Sequence, residues 1–181
     1  QANDWKRPFP DAPVSRRDVG LPDRGFVFSA FSGGDKIMPR EFDIWMRLLG
    51  KVEGSVLWLR DAPAEVKAML GNEATRRDVA VERLIFAPRV DMAVHLARHQ
   101  AADLALATLT YNAHAAASDA LWTGLPVVTM LGDAFAGRVA ASVVTAAGFP
   151  ELVTRNEAEY EALALELATH PETLSRLKER L

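Results

Sequence analysis

The chain has 181 residues, of which 49% are hydrophobic and 25% are charged, and its formal net charge is −3. This length suits one domain with one sizeable hydrophobic core. The small negative charge argues against a nucleic-acid partner, because the chain carries no basic field. Cysteine is absent, which excludes disulfides, thiolate metal sites and a cysteine nucleophile, and which suits a reducing, cytoplasmic location.

Targeting signals are missing from the sequence as it stands. The first five residues do not have the character of a signal peptide. The longest apolar stretch, 139–149, is too short and too rich in alanine to span a bilayer, so we expect no membrane partner. Because the chain also lacks an initiator methionine, we expect it to be a piece of a longer protein.

The first regular elements follow a proline-rich start. Residues 1–24 contain four prolines and predict an irregular lead-in, ahead of one domain over 25–181. The apolar run 26–31 is typical of a short strand. Pro39 then begins a predicted helix at the favoured first-turn position. One face of this helix is apolar, because hydrophobic residues recur at three- and four-residue steps at Phe42, Trp45, Met46, Leu49 and Val52.

Strands and helices alternate along the rest of the chain. The sequence predicts strands at 55–59, 84–86, 104–106, 126–130 and 151–153. It predicts helices at 62–76, 91–100, 115–122 and 139–147, and two final helices that begin at Glu157 and Pro171. Short, continuously apolar strands are typical of a parallel sheet covered on both faces. The predicted fold is therefore α/β, a doubly wound Rossmann-like sheet whose ligand lies beyond the carboxyl ends of the strands.

The segment 111–119 is the strongest candidate for a phosphate site. A polar, turn-like stretch, 111–114, precedes three alanines at the predicted start of a helix. A ligand can approach the backbone there, and the helix N-terminus attracts anions. Asp119 lies one turn into the helix, where its carboxylate could accept hydrogen bonds from ribose hydroxyls. The alternative interpretation is an ordinary loop, with Asp119 as a first-turn acid.

Lys36 and two histidines are further candidates. Lys36 follows a strand and two glycines, so it could extend over the sheet edge toward a phosphate; a solvated lysine beside Asp35 is the alternative. His95 and His99 have the spacing of a two-histidine metal site, but no third ligand accompanies them, and we expect no metal. An Asp-x-Asp pair is also absent, so lysine, arginine and helix dipoles would have to neutralise a diphosphate.

Three common motifs are missing from the sequence. It contains no Gly-x-Gly-x-x-Gly, no Walker-type loop and no Gly-x-Ser-x-Gly. Their absence argues against a dinucleotide dehydrogenase, a P-loop NTPase and an α/β-hydrolase, respectively. A methyltransferase or a response-regulator-like domain fits the alternation of elements, but neither explains the Asn-x-His segment at 112–114.

A series of ordered anchors runs from about Ser15 to the end of the chain. They are Phe31, Lys36-Ile37, Pro39, 55–59, 83–86, His95, Arg98, 102–103, 112–114, 119–130 and 138–142. With these residues the chain resembles the C-terminal catalytic lobe of the O-linked N-acetylglucosamine transferase family, including its bacterial tetratricopeptide-linked relatives. The resemblance implies the two-lobed GT-B architecture, no metal or other cofactor, and transfer from UDP-N-acetylglucosamine to serine or threonine of proteins. An N-terminal lobe and helical repeats outside this chain would then bind the protein acceptor or partner.

The resemblance also implies roles for individual residues. Lys36 matches the lysine that meets the donor diphosphate, and it is the expected catalytic group. His95 matches a histidine that stacks near the uracil, and Arg98 matches an arginine beside it. His114 matches a histidine near the sugar and phosphates, and Asp119 matches the carboxylate that holds the ribose. The expected substrate-binding set is His95, Arg98, Asn112, His114, Ala115, Ala116 and Asp119.

This chain departs from the family pattern at three places. Ala115 and Ala116 stand where the family has a Thr-Thr pair that binds the diphosphate. Ala107 stands where the family usually has aspartate. Ser32 and Gly33 stand where the family has asparagine followed by asparagine or glutamine. Each change removes or reduces a polar group.

Two hypotheses follow from these departures. In the first, the lobe binds a UDP-sugar through backbone N–H groups, Lys36, His95 and Asp119. In the second, the protein is a degenerate, non-catalytic interaction or scaffold domain on the same fold. A UDP-N-acetylglucosamine epimerase is a weaker third interpretation, because the sequence shows no cluster of carboxylates to surround the sugar carbon. We also expect the 181-residue chain not to transfer sugar by itself, because the other lobe is absent.

Overall fold

The computed structural model describes residues 6–7 and 14–181. A single sheet of six strands has the order β3-β2-β1-β4-β5-β6, and every strand pair is parallel. The strands are β1 (Val27–Ala30), β2 (Val56–Arg60), β3 (Leu84–Ala87), β4 (Leu104–Leu106), β5 (Val127–Met130) and β6 (Val153–Thr154). The strand order reverses between β1 and β4, which is the topological switch point of a doubly wound sheet. The predicted fold class is confirmed.

Seven α-helices cover the sheet within the described residues. They are α1 (Pro39–Lys51), α2 (Ala64–Thr75), α3 (Met92–Arg98), α4 (Ala115–Trp122), α5 (Val139–Ala146), α6 (Glu157–Thr169) and α7 (Pro171–Arg180). Helices α4 and α5 contact each other, and α6 returns to pack against α1. Because parallel crossovers are right-handed, helices that follow strands on either side of the switch point lie on opposite faces.

A buried hydrogen-bonded chain joins two of these helices to the loop after β4. The indole Nε1 of Trp45 donates to the Tyr160 hydroxyl at 3.2 Å, and that hydroxyl donates to the carbonyl of Ala107 at 3.0 Å. Burial raises the pKa of Tyr160, so the phenol stays protonated and donates. The apolar stripe predicted for α1 is fully buried, and the helix packs against α6 and β2.

Two predicted elements differ from the structure in type over part of their length. Residues 150–152 form a 3-10 turn, and the edge strand β6 occupies only Val153–Thr154. Pro150 begins that turn, because its fixed φ suits a helical first position and it has no N–H to offer the sheet. The predicted helix over 91–100 ends as an α-helix at Arg98 and continues as a 3-10 turn over His99–Ala101.

The second described part of the lead-in, residues 14–24, is fixed at the amino edge of the sheet. It forms a 3-10 turn at Arg17–Val19. Just before it, the Arg16 guanidinium donates to Asp103 at 2.6 Å and to the carbonyl of Ala101 at 3.1 Å. The remainder of the prediction for 1–24 lies outside the described residues. In the part of the chain that the structure describes, no helix has the length and apolar character needed to cross a membrane.

Candidate functional site

A cleft of about 660 Å³ opens at the carboxyl edge of the sheet. Its walls come from the ends of β1, β2 and β3, from α3 and from the start of α4. This is the crevice in which a doubly wound sheet is expected to bind its ligand, next to the switch point. Among the residues that line it are Phe31, Arg60, Pro88, Arg89, Met92, His95, Arg98, Ala115, Ala116 and Asp119.

The structure brings five of the eight predicted site residues to this cleft. They are His95, Arg98, Ala115, Ala116 and Asp119. The other three, Lys36, Asn112 and His114, do not line it and lie around the loop that leads into α4.

The start of α4 presents its backbone to the cleft. Ala115 is exposed and Ala116 is half-buried, and both line the cleft. His114 is the N-cap residue, but its side chain does not cap the helix, and no acidic residue stands in the first turn. The first N–H groups of a helix lack partners within the helix, and the dipole makes this end positive. The arrangement suits an anionic ligand.

Asp119 carries a buried carboxylate at the wall of the cleft. Its side chain is 10% exposed, and its Oδ1 accepts from Arg7 Nη1 at 2.5 Å. Its other oxygen, Oδ2, lies 3.9 Å from Nε2 of His95. Burial raises the pKa of Asp119, and the guanidinium of Arg7 acts against that rise. Among the described residues, Oδ1 therefore has a hydrogen-bond partner and Oδ2 has none.

His95 is held as a neutral ring by Arg98. Nη2 of Arg98 lies 2.7 Å from His95 Nδ1, and because a guanidinium only donates, Nδ1 must be the unprotonated nitrogen. The hydrogen is then on Nε2, which faces Asp119. Burial, together with the charges of Arg98 and Arg60, lowers the pKa of His95 to about 4. The ring is therefore uncharged near neutral pH.

Arg98 is a buried structural residue of the cleft wall. Nη1 donates to the carbonyl of Pro88 at 2.6 Å, and the guanidinium lies 4.9 Å from the centre of the Phe31 ring. The residue is only 4% exposed. The guanidinium thus orients His95 and the chain after β3. Arg98 can therefore influence a bound ligand through these two groups.

His99 belongs to the same aromatic cluster and not to a metal site. Its Nδ1 donates to the carbonyl of His95 at 2.7 Å, and its ring meets the His95 ring edge-on at 4.7 Å between centres. Burial lowers the pKa of His99 to about 3, so this ring is also neutral. Within the described ranges, no three metal-ligating side chains come together.

Lys36 lies in a stack beside the start of α4. It belongs to the 3-10 turn after β1, and its Nζ lies 3.9 Å from the centre of the Tyr111 ring. Tyr111 in turn stacks on His114, with 4.8 Å between ring centres and an interplanar angle of 22°. Because His114 is the N-cap of α4, the stack places a positive charge near the helix start.

Asn112 shapes the loop from within. It is fully buried, its Nδ2 donates to the carbonyl of Thr108 at 2.9 Å, and its backbone N–H donates to Ala136 at 2.8 Å. The hydroxyl of Thr108 donates to the carbonyl of Tyr111 at 2.6 Å. These bonds fix the turn that carries the Tyr111–His114 stack, and they leave Asn112 remote from the cleft surface.

The departures from the family pattern fall in two different environments. Ala115 and Ala116 line the cleft. Ser32 and Ala107 are buried, with Ser32 Oγ 3.2 Å from the Thr108 hydroxyl, and neither lines the cleft. Of the predicted departures, the alanines at 115 and 116 are therefore the ones at the cleft surface, whereas Ser32 and Ala107 lie beneath it.

Sequence reasoning missed three arginines of this region. Arg60, the last residue of β2, and Arg89, after β3, are exposed and line the cleft. The sequence signal that could have identified Arg60 is its position as a charged residue at the end of an apolar strand. Arg7 reaches Asp119 across 112 residues of sequence, and no periodicity or spacing connects the two.

Comparison with known proteins gives matches over nearly the whole chain. Residues 9–181 match the family described as Glycosyl transferase family 41. The chain is 35% identical over 168 residues to the UDP-N-acetylglucosamine–peptide N-acetylglucosaminyltransferase of Caenorhabditis elegans, covering 93% of this chain and 15% of that protein. It is 31% identical to a probable enzyme of the same name from Arabidopsis thaliana, covering 95% of this chain and 18% of that protein. The chain thus spans about a sixth of these relatives.

Solved structures show the same relationship. A mutant of the Thermobaculum terrenum O-GlcNAc transferase superposes with a TM-score of 0.85 at 33% identity, covering 96% of this chain and 33% of that one. A UDP-N-acetylglucosamine 2-epimerase-like structure from Listeria monocytogenes gives a TM-score of 0.58 at 14% identity over 88% of this chain and 40% of that chain, a likeness of fold alone.

Proposed function

Since the chain belongs to glycosyl transferase family 41, we propose that it is the donor-binding lobe of a protein O-glycosyltransferase and that it binds a UDP-sugar, with UDP-N-acetylglucosamine as the expected donor. The observation that carries this proposal is the cleft itself. There a helix start, a carboxylate whose Oδ2 accepts no hydrogen bond from a described residue, and a neutral imidazole border a single volume.

Each part of the nucleotide has a suitable partner. The Asp119 carboxylate accepts hydrogen bonds from the ribose hydroxyls, and the His95 ring packs near the base. The N-terminus of α4 binds the diphosphate through backbone N–H groups, which the small Ala115 side chain leaves accessible. Because the imidazole is neutral, it contacts the uracil without placing a charge beside it.

Departure of the diphosphate is the step to which this lobe contributes. When the sugar–phosphate bond breaks, negative charge grows on the leaving UDP. The dipole of α4 and the ammonium of Lys36, held beside the helix start, stabilise that charge. Arg60 and Arg89 at the cleft mouth add to the positive potential. These groups supply the neutralisation that a metal ion provides in other transferases, so the proposal requires no metal.

We propose that the acceptor site and the other lobe lie outside this chain, which spans about a sixth of its curated relatives. Large apolar side chains stand exposed at the carboxyl edge of the sheet: Phe135 is 82% exposed and Leu131 40%. A second cleft of about 770 Å³ adjoins this surface beyond β5 and β6. We propose that an N-terminal lobe covers this surface, and that helical repeats deliver the protein substrate in the cytoplasm. The isolated lobe is expected to bind donor without transferring sugar.

The second candidate function is a non-catalytic scaffold, and Ala115 and Ala116 favour it. A hydrogen bond to a charged group contributes about 1.5–3 kcal/mol. Loss of two threonine hydroxyls therefore weakens diphosphate binding by roughly 100-fold or more. The backbone N–H groups and Lys36 remain, so the first candidate predicts weakened binding and the second predicts none.

Calorimetric titration of the 181-residue chain with UDP separates the two functions. A dissociation constant below about 0.1 mM supports donor binding, and absence of binding at about 5 mM UDP rejects it. Asp23→Ala provides a matched control, because this exposed carboxylate precedes β1 at the opposite edge of the sheet. The control variant must bind UDP as the unaltered chain does.

A further inference from the structure

The lead-in contributes one side chain to the wall of the candidate site. Nη1 of Arg7 binds Oδ1 of Asp119 at 2.5 Å, and the two side chains are 6% and 10% exposed. Surface ion pairs contribute little, but a buried pair fixes the geometry of its members, because neither charge can leave without being stranded. The orientation of the Asp119 carboxylate is therefore set by a residue 112 positions earlier in the chain.

A second contact holds Arg7 in place. Its guanidinium lies 4.7 Å from the centre of the Trp122 ring, at the other end of α4. Residues three apart on a helix share a face, so Asp119 and Trp122 form one binding surface for the guanidinium. Planar stacking on an indole together with a carboxylate bond suits arginine in a way that lysine cannot reproduce.

The two carboxylate oxygens of Asp119 have different surroundings. Oδ1 is bound to Arg7, whereas Oδ2 faces His95 Nε2 at 3.9 Å, beyond hydrogen-bond length. Asp119 lines the cleft, but Arg7, one of the described residues, does not. Arg7 therefore stands behind the carboxylate and leaves the cleft open.

We propose that Arg7 is a positioning residue for the nucleotide: it anchors Oδ1 of Asp119 so that Oδ2 is turned into the cleft to accept hydrogen bonds from the ribose hydroxyls. This inference rests on the proposed function, because it assigns Arg7 to the ribose part of that site. The guanidinium also opposes the rise in the pKa of Asp119 that burial causes, which favours the ionised carboxylate as the hydrogen-bond acceptor.

Removal of Arg7 should therefore affect only ligands that carry ribose hydroxyls. We would titrate UDP and 2′,3′-dideoxyuridine 5′-diphosphate, which retains the base and the diphosphate, into the unaltered chain, Arg7→Ala, Arg7→Lys and Arg17→Ala. Arg17 is an exposed arginine of the same lead-in and serves as the matched control. Arg7→Ala should weaken UDP binding by about tenfold or more, yet change the affinity for the dideoxy compound by less than about twofold. Arg7→Lys should fall between, and Arg17→Ala should match the unaltered chain.

Several results would overturn this assignment. Unchanged or tighter UDP binding by Arg7→Ala would show that Arg7 is irrelevant or obstructs the site. Equal loss of both ligands would show that Arg7 merely supports the fold. If the unaltered chain binds UDP and Arg7→Ala gives either of these two results, the inference alone fails; if the unaltered chain binds no UDP, the proposed function fails as well. A carbon-detected NMR titration of Asp119 without ligand gives an independent reading, since the pKa of its carboxyl should rise in Arg7→Ala, and an unchanged pKa would contradict the proposal.

Discussion

Two arginine–aspartate pairs connect the lead-in to opposite edges of the sheet. They differ in whether the carboxylate lines a cleft where a ligand could bind to it. At the amino edge, Asp103 accepts from Arg16 at 2.6 Å and from the backbone N–H of Val27 at 2.8 Å, and Lys178 stands 3.7 Å away. At the carboxyl edge, Asp119 accepts from Arg7 through one oxygen and turns the other toward a cleft. The same chemical pair thus closes the fold at one edge and leaves an acceptor for a ligand at the other.

The largest expected effect comes from removing the two carboxylates in turn. Asp119→Ala should weaken UDP binding by about 100-fold, because two ribose hydroxyls lose a charged acceptor. Asp103→Ala should leave UDP affinity within about threefold but lower the free energy of unfolding by roughly 2 kcal/mol, since it strands a backbone donor and two cations. Calorimetry and chemical denaturation measure the two quantities, and equal effects of both substitutions on UDP affinity would abolish the contrast.

A smaller gain should follow from restoring hydroxyls to the cleft. The double substitution Ala115→Thr with Ala116→Thr adds two donors at the start of α4, where both positions have access to the cleft. We expect UDP to bind about tenfold more tightly or better, because each new bond to the diphosphate is charge-assisted. Uridine, which has no phosphate, should bind unchanged. A gain for uridine equal to the gain for UDP would place the diphosphate elsewhere.

The last prediction concerns pH and His99, whose ring packs against that of His95 behind the cleft. His99, with a folded pKa of about 3, must stay neutral in the native state, whereas it binds a proton near its usual pKa when unfolded. The unfolded state then holds more protons below about pH 6.5, so stability falls as the pH drops from about 6.5 toward 3, by at most ~1.4 kcal/mol per pH unit for this group.

Other groups titrate in the same range, so the contribution of His99 needs a matched variant. Burial raises the pKa of Glu41 and of Asp119, and raised carboxyl values act in the opposite direction because the folded state then binds the extra proton. His99→Gln retains a donor for the carbonyl of His95 but does not titrate. Denaturation at pH 7, 6 and 5 should show a shallower loss of stability for this variant, and identical slopes would contradict the account.

Most of the fold was predictable because each strand is a short apolar run closed by glycine, proline or a polar residue. The start of α1 at Pro39 and the whole of α4 agree with the sequence prediction. The edge strand was misplaced because 151–153 is apolar enough to form a strand, while Pro150 imposes a turn just before it. Local patterns cannot decide between these two tendencies when the strand has only two residues.

The sequence predicted five of the residues that line the cleft, but not the contacts that these residues make. Resemblance to a family placed His95 and Asp119 in one site, and the structure brings them within 3.9 Å. The resemblance could not reveal that the Arg98 guanidinium donates to His95 and to the carbonyl of Pro88, or that Asn112 is buried inside its loop. Those facts depend on three-dimensional packing, as does the reach of Arg7 to Asp119.

A uridine nucleotide is proposed to bind at the carboxyl edge, between α3 and the start of α4. Amide NMR spectra recorded during a titration with UDP locate the binding site. We expect the shifts to concentrate at His95 and over 115–119, with little change at Asp103 and Lys178 on the amino edge. Shifts that concentrate at the amino edge, or spectra that do not change at millimolar UDP, would contradict it.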